Sequence, residues 1–177
     1  MKMNVEHRNL GSETVLVVGA GLAGLYTALS LAPKRVLVLT AGVLGTSASS
    51  IWAQGGLSAA LGEDDDPKLH LEDTITAGAG LVNQHTAQIL VDGAHDAVAS
   101  LAALGVAFDR GLDGQYSLGR EAAHSRARVL HATGDQAGRA IMSPLIAAAQ
   151  RAAHITVLEG YVAEELLTSD SCINGVL

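Results

Sequence analysis

The sequence predicts an α/β fold, a parallel sheet with packed helices that runs on into the start of an antiparallel ribbon. Three observations predict it. Short apolar runs rich in Val, Leu and Ile recur within Thr14–Val18, Arg35–Leu39 and Ile155–Leu158, as strands covered on both faces require. Ala- and Leu-rich stretches of helical character, Gly21–Ala32 and Asp135–Ala153, lie between them. Between the first apolar run and the first helical stretch stand Gly19, Gly21 and Gly24, at G-x-G-x-x-G spacing.

That strand–turn–helix context makes the glycines a dinucleotide-binding, Rossmann-like fingerprint. Gly19 allows the sharp turn out of the strand, Gly21 lets a pyrophosphate reach the backbone, and Gly24 lets the helix lie close on the sheet. The free backbone N–H groups there, with the positive end of the helix dipole, then hold phosphates without Lys or Arg. A glycine-rich turn that merely joins two buried elements is the competing reading, and the flanks favour the nucleotide. The second strand is expected parallel to the first through a right-handed crossover. At its end, where an acidic residue often meets the ribose hydroxyls, stand Thr40 and Ala41. Threonine makes a single hydrogen bond there. No arginine follows to hold a 2′-phosphate, which disfavours NADP, and the nucleotide itself stays open at this point.

The 177 residues suit one domain or slightly more, and 49% hydrophobic residues suffice for a core. With aromatics at only 3%, that core must be built from Ala, Val, Leu and Ile. A net charge of -7 argues against nucleic acid, whose phosphates call for a basic surface. Mean hydropathy is +0.29, yet no uncharged apolar run reaches spanning length, and Met1–Thr14 is polar, without the apolar core of a signal peptide. A soluble, cytoplasmic protein is expected, with no membrane partner. The lone Cys172 excludes a disulfide framework and a cysteine metal site, and reads as a buried or half-exposed bystander. Seven scattered histidines show no metal-ligand spacing, so no metal is expected.

Met1–Glu13 reads as a lead-in. The stretch Thr46–Gly56 is rich in hydroxyls, with Gln54 and the pair Gly55-Gly56, and has no helical or strand period. Ile51 and Trp52 set it apart from a solvated linker and favour a loop against a polar, planar ligand. Gly62–Pro67 is an acidic turn; its three adjacent aspartates lack the alternation of a calcium loop and read as solvated. Helices are expected over Lys68–Gly78 and Gln84–Leu104. The second shows an apolar face of Ile89, Leu90, Ala94, Ala97, Leu101 and Leu104, expected to pack against the nucleotide-binding part. Asp113-Gly114 and Asn174-Gly175 are hairpin-turn signals. Between Gly119 and Arg139 the polar groups Arg120, Glu121, His124, Arg126, Arg128, His131, Asp135 and Arg139 crowd together, a basic cluster beside one carboxylate that suggests an anionic substrate; a surface loop with ordinary ion pairs is the alternative.

Ser49, Ser50, Ile51, Trp52, Ala53, Gln54, Gly55 and Gly56, continuing to Ala59, resemble the isoalloxazine-binding loop of the succinate dehydrogenase/fumarate reductase flavoprotein superfamily. Leu118–Asp135 is similar to a segment typical of the L-aspartate oxidase family, and Leu71–Leu81 adds a third ordered match. The resemblance implies FAD, with the backbone from Ala20 to Ala23 at the pyrophosphate, Ser49–Gly56 along the flavin, and Val162 against the adenine. Ser49 stands where membrane-bound relatives carry the flavin-linking histidine, so the implied FAD is non-covalent. Glu121 is implied to orient the substrate through its α-amino group, with His124 and His131 as supporting groups. Two departures from the family pattern follow. Thr40-Ala41 replaces Ser-Lys, which weakens the grip on FAD, and Ala122-Ala123 replaces Gly-Gly, which implies strain if those positions need positive φ.

The implied reaction is FAD-dependent oxidation of L-aspartate to iminoaspartate, the first step of de novo NAD biosynthesis, with O₂ or fumarate as electron acceptor and contact with quinolinate synthase. The chain is then expected to be the N-terminal part of an FAD-binding domain, lacking a capping and a helical C-terminal domain and inactive alone. A fumarate reductase- or succinate dehydrogenase-like flavoprotein, and a truncated non-catalytic FAD-binding fold, are the alternatives.

Overall fold

The computed structural model describes Gly11 and residues 13–177; the lead-in expected over Met1–Glu13 therefore lies almost wholly outside the described residues. The chain forms two compact units. The first comprises the described residues up to Ile51 together with Leu145–Leu177, and the second is Trp52–Pro144.

The first unit is built on a parallel sheet of β1 (Val15–Val18), β2 (Val36–Thr40) and β6 (Ile155–Glu159), in the order β1-β2-β6. Its register pairs Val15 with Val36 and Val36 with Ile155. Because β2 is central, all five of its residues are buried, which is why Val36–Leu39 is unbroken apolar sequence. Helix α1 (Leu22–Ser30) packs on β1 and β2 through the fully buried Leu25 and Ala28. The expected βαβ unit is present, with α1 shorter at both ends than Gly21–Ala32. Helix α4 (Ala137–Arg151), which follows a 3₁₀ turn at Gly134–Gln136, brings Leu145 and Ala149 into this core.

Beyond β6, β7 (Leu166–Ser169) and β8 (Cys172–Val176) form the expected antiparallel ribbon. Its turn, however, is Asp170-Ser171, at φ +50° and +62°, and not Asn174-Gly175, which lies inside β8. Two successive left-handed residues give the twist a two-residue hairpin needs, and Asp tolerates that conformation well. Cys172 sits exposed on this ribbon and is not buried.

In the second unit, α2 (Pro67–Ala77) and α3 (Gln84–Ala103) pack as a hairpin around Leu71, Ala87 and Val91, flanked by Ile75 and Val82. Asp66 caps α2 by accepting from the Leu69 N–H at 2.9 Å, and Asn83 caps α3 in the same way. The apolar stripe of α3 is rotated from the expected one: Ala87, Val91, Val98 and Leu101 are buried, whereas Ile89 and Leu90 are exposed. Short strands β3 (Leu57–Ser58), β4 (Leu118–Gly119) and β5 (Val129–Leu130) make a small antiparallel sheet in the order β3-β5-β4. Around Asp113-Gly114 the chain does turn, with Gly114 at φ +80°, but the flanks meet in one bridge between Arg110 and Tyr116. Among the described residues, no helix is long and apolar enough to cross a membrane.

Candidate functional site

In the first unit β1 ends in a turn that only glycine can make. Gly19 adopts φ +102°, and its N–H donates to the Leu39 carbonyl at 2.8 Å, locking the turn onto β2. A Cβ on Gly24 would overlap the Gly19 carbonyl oxygen, so that glycine sets how closely α1 lies on the turn. Gly21 is the N-cap of α1 and offers no side chain to the helix end; no acidic residue occupies the first turn. The positive end of α1 is therefore left for an external anion.

Ser50 Oγ accepts from the Leu22 N–H at 3.1 Å, which leaves the hydroxyl proton to donate outward. A Cβ on Gly21 would stand 3.0 Å from the same Oγ, so Gly21 makes room for the serine loop. The loop itself is a 3₁₀ turn, Ser49–Trp52, where the sequence suggested no regular structure. Of the nucleotide-site residues, Gly19, Ala20, Gly21, Leu22, Ala23 and Gly24 are gathered at the helix start, with Ser50 beside them. Thr40 is buried at the end of β2, and its carbonyl accepts from the Tyr161 N–H at 3.1 Å, next to the exposed Val162. The donor set, a backbone turn, a helix end whose N-cap residue supplies no side chain and a hydroxyl, fits a dinucleotide diphosphate.

Trp52, Ala53, Gln54 and Gly55, the rest of the loop, belong to the second unit and are exposed. Gly56 closes the loop: a Cβ there would overlap the Leu130 carbonyl oxygen of β5.

The basic cluster resolves differently from its expected role. Arg128 is fully buried and forms a bidentate pair with Asp65, at 2.9 and 2.8 Å, while its second terminal nitrogen reaches Asp73 at 2.8 Å. The Asp65 side chain is also fully buried, so one of the three aspartates of the acidic turn is not solvated: Asp65 is an interior ion-pair partner, whereas Asp66 is exposed and caps α2. Arg126 pairs with Asp64 at 3.4 Å, and Arg120 donates to the His124 carbonyl at 2.9 Å. Arg128 is thus wholly engaged inside the protein, whereas Arg120 is exposed and Arg126 partly so, each held by contacts to one or two residues. Within 120–128, among the described residues, Glu121 is the charged side chain left exposed and without a partner. Ala122 and Ala123 are not at positive φ, so the strain expected from replacing two glycines does not arise.

Beside Arg128, the rings of His70 and His124 meet edge to face at 5.9 Å, and His124 Nε2 lies 3.3 Å from Ser58 Oγ. The Nδ1 atoms of both rings are buried with no hydrogen-bond partner among the described residues. Burial, then the Arg128 charge and His124, hold the His70 pKa below its ordinary 6.5. The Ser125 backbone hydrogen bond is the main cause that lowers the Asp73 carboxyl. Near the end of the segment Thr133 adopts φ +54°, a strained conformation for a β-branched residue, with its N–H donating to Asp109 Oδ1 at 3.1 Å. Asp65, Asp73, Ser58, Ser125 and His70 were not singled out by the sequence. The one available signal was Arg128 itself, a cation beside the apolar pair Val129-Leu130, which demands a buried anion.

Comparison with known proteins fits this geometry. Over 175 residues the chain is 49% identical to an L-aspartate oxidase of Mesorhizobium japonicum, a match covering 99% of this chain and 34% of that protein. The chain thus spans about a third of the length of the curated relatives it matches. Among solved structures, the Mycobacterium smegmatis Sdh1 complex superposes with a TM-score of 0.83 at 29% identity, covering 92% of this chain and 30% of that one. An E. coli quinol fumarate reductase shares the fold at 22% identity, with a TM-score of 0.84, over 93% of this chain and 29% of that one. The family model described as FAD binding domain matches residues 14–177. With its glycine turn, the helix that starts from it and the serine loop, the chain belongs to the FAD binding domain family, and its cofactor is FAD.

Proposed function

We propose that this chain is the FAD-holding part of an L-aspartate oxidase, converting L-aspartate to iminoaspartate with O₂ or fumarate as electron acceptor. The observation that carries the reading is the 49% identity to an L-aspartate oxidase across 99% of the chain. Bound FAD supplies the hydride acceptor. The backbone of Gly19–Gly24 and the Ser50 hydroxyl hold the diphosphate, Thr40 meets the ribose, and the backbone near Val162 meets the adenine. Ser49, Ile51 and Trp52–Gly56 line the ring system. With Ser49 in place of a histidine, no side chain there forms a bond to the flavin, so the cofactor dissociates. Glu121 orients the substrate by accepting from its α-ammonium group, and its exposed carboxylate, without a partner among the described residues, is available for this. An un-aminated dicarboxylate gains nothing from that charge. The setting is the first step of de novo NAD biosynthesis in the cytoplasm, with quinolinate synthase as the contact that receives the product. Without the further two thirds of its relatives' length, the chain is inactive on its own.

The test is substrate choice in the protein expressed from its complete coding sequence. L-aspartate oxidation is expected, and Glu121→Gln should raise KM for L-aspartate about 10- to 100-fold, the worth of one charged hydrogen bond. Rapid fumarate reduction with no aspartate turnover would transfer the chain to the fumarate reductase-like reading. No flavin in the purified protein would leave a non-catalytic fold.

A further inference from the structure

The turn that carries Glu121 is tied down at several points, all within the second unit. The His124 N–H donates to the Glu121 carbonyl at 3.0 Å and closes the turn, and Arg120 Nε donates to the His124 carbonyl at 2.9 Å. His124 Nε2 rests 3.3 Å from Ser58 Oγ on β3, the strand that directly follows Gly56. The strongest tie is Asp73 on α2. One of its oxygens, Oδ2, accepts from the Ser125 N–H at 2.7 Å, from Ser125 Oγ at 2.8 Å and from Arg128 Nη1 at 2.8 Å. Three donors on a single carboxylate oxygen define its place closely, and the ionised carboxylate makes each of the three bonds charge-assisted. Arg128 is in turn fixed by its bidentate pair with the buried Asp65. Rigid helix, buried guanidinium, carboxylate and serine thus lead to a surface turn whose own side chains at 120–123 are exposed.

We propose that Asp73 is a positioning residue for substrate selection: by holding Ser125 it fixes the 120–126 turn and so the direction of the Glu121 carboxylate. This rests on the reading of Glu121 as the contact for the substrate ammonium group. Surface turns with this little packing would otherwise sample several conformations, and an ammonium contact depends on direction as well as charge. Asp73→Asn keeps the shape and leaves Arg128 its bidentate partner Asp65, so the fold is expected to survive. Ser125→Ala, a milder second variant, removes the hydroxyl bond and leaves the backbone one.

The experiment titrates L-aspartate and succinate, a dicarboxylate without the amino group, against the flavin absorbance of the protein expressed from its complete coding sequence. Variants are Glu121→Gln, Asp73→Asn, Ser125→Ala and the double Asp73→Asn/Glu121→Gln, each also probed by amide hydrogen exchange. Glu121→Gln and Asp73→Asn should each lower the preference for L-aspartate over succinate about tenfold, the double variant no further, and Ser125→Ala about two- to threefold. Exchange across 120–126 should quicken in Asp73→Asn while the buried amides of α3 stay protected. A preference that moves in Glu121→Gln but not in Asp73→Asn, or effects that multiply in the double variant, would overturn the proposal. Should Glu121→Gln leave the preference unchanged, the substrate reading of Glu121 fails instead. The exchange data then decide alone whether Asp73 fixes the turn: unchanged protection at 120–126 sinks that as well.

Discussion

The two units solve the problem of holding a polar group in opposite ways. In the first, the turn at Gly19–Gly24 presents backbone amides, and its shape depends on side chains that are missing. In the second, the Asp65–Arg128–Asp73 group is made wholly of charged side chains, two of them with no exposure at all. A backbone cradle is dictated by local sequence and tolerates no added atom. A buried ion network depends on residues distant in sequence and is destabilised when a fully buried charge is left without its partner. Binding capacity and structural integrity are therefore vulnerable to different kinds of substitution.

The largest effect expected from breaking that contrast is on Arg128. Arg128→Ala leaves the buried Asp65 carboxylate unpaired and should cost about 3–5 kcal/mol in urea-induced unfolding. Hydrogen exchange should quicken first around β3, β4 and β5, leaving the buried β2 strand less affected. Equal loss of protection in both units would remove the distinction drawn between them.

A smaller effect concerns His70, which faces Arg128, His124, Asp65 and Asp73. Its folded pKa lies below the ordinary 6.5, so as pH falls below about 6.5 the unfolded chain takes up a proton that the folded one refuses. Stability should drop with falling pH in that range, by at most about 1.4 kcal/mol per pH unit for this group. Thermal unfolding of wild type against His70→Gln reads it, and the variant should show the shallower decline. A steeper decline would mean that His70 is charged in the folded state.

Legibility in the sequence follows the same division. The glycine turn, α1 and the three parallel strands were readable because each is specified by adjacent residues: an apolar run, a glycine spacing, a helical stretch. Asp65 and Asp73 lie 63 and 55 positions from Arg128, and nothing local to the acidic turn distinguishes a buried aspartate from a solvated one. The β3-β5-β4 sheet escaped for a related reason, since strands of two residues have no period of their own and exist only by pairing. On α3 the expected stripe included Ile89 and Leu90, whereas Ala87 and Val91 face α2. Small residues let two helices approach closely, and packing overrode hydrophobicity as the guide to the buried side. In the ribbon, Asn174-Gly175 was the stronger turn signal by composition, yet Gly175 pairs with Leu167 and the chain reverses at Asp170-Ser171.

The central claim, that backbone amides at the start of α1 hold the diphosphate of FAD, is tested most directly by FAD titration of wild type and Gly21→Ala. Position 21 has φ -80°, which alanine adopts without strain, and an added methyl there would stand at the helix end within 3.0 Å of Ser50 Oγ. FAD affinity should weaken about tenfold or more, roughly 1.4 kcal/mol, with the circular dichroism of the fold retained. An unchanged affinity in a folded Gly21→Ala protein would place the cofactor elsewhere and contradict the account.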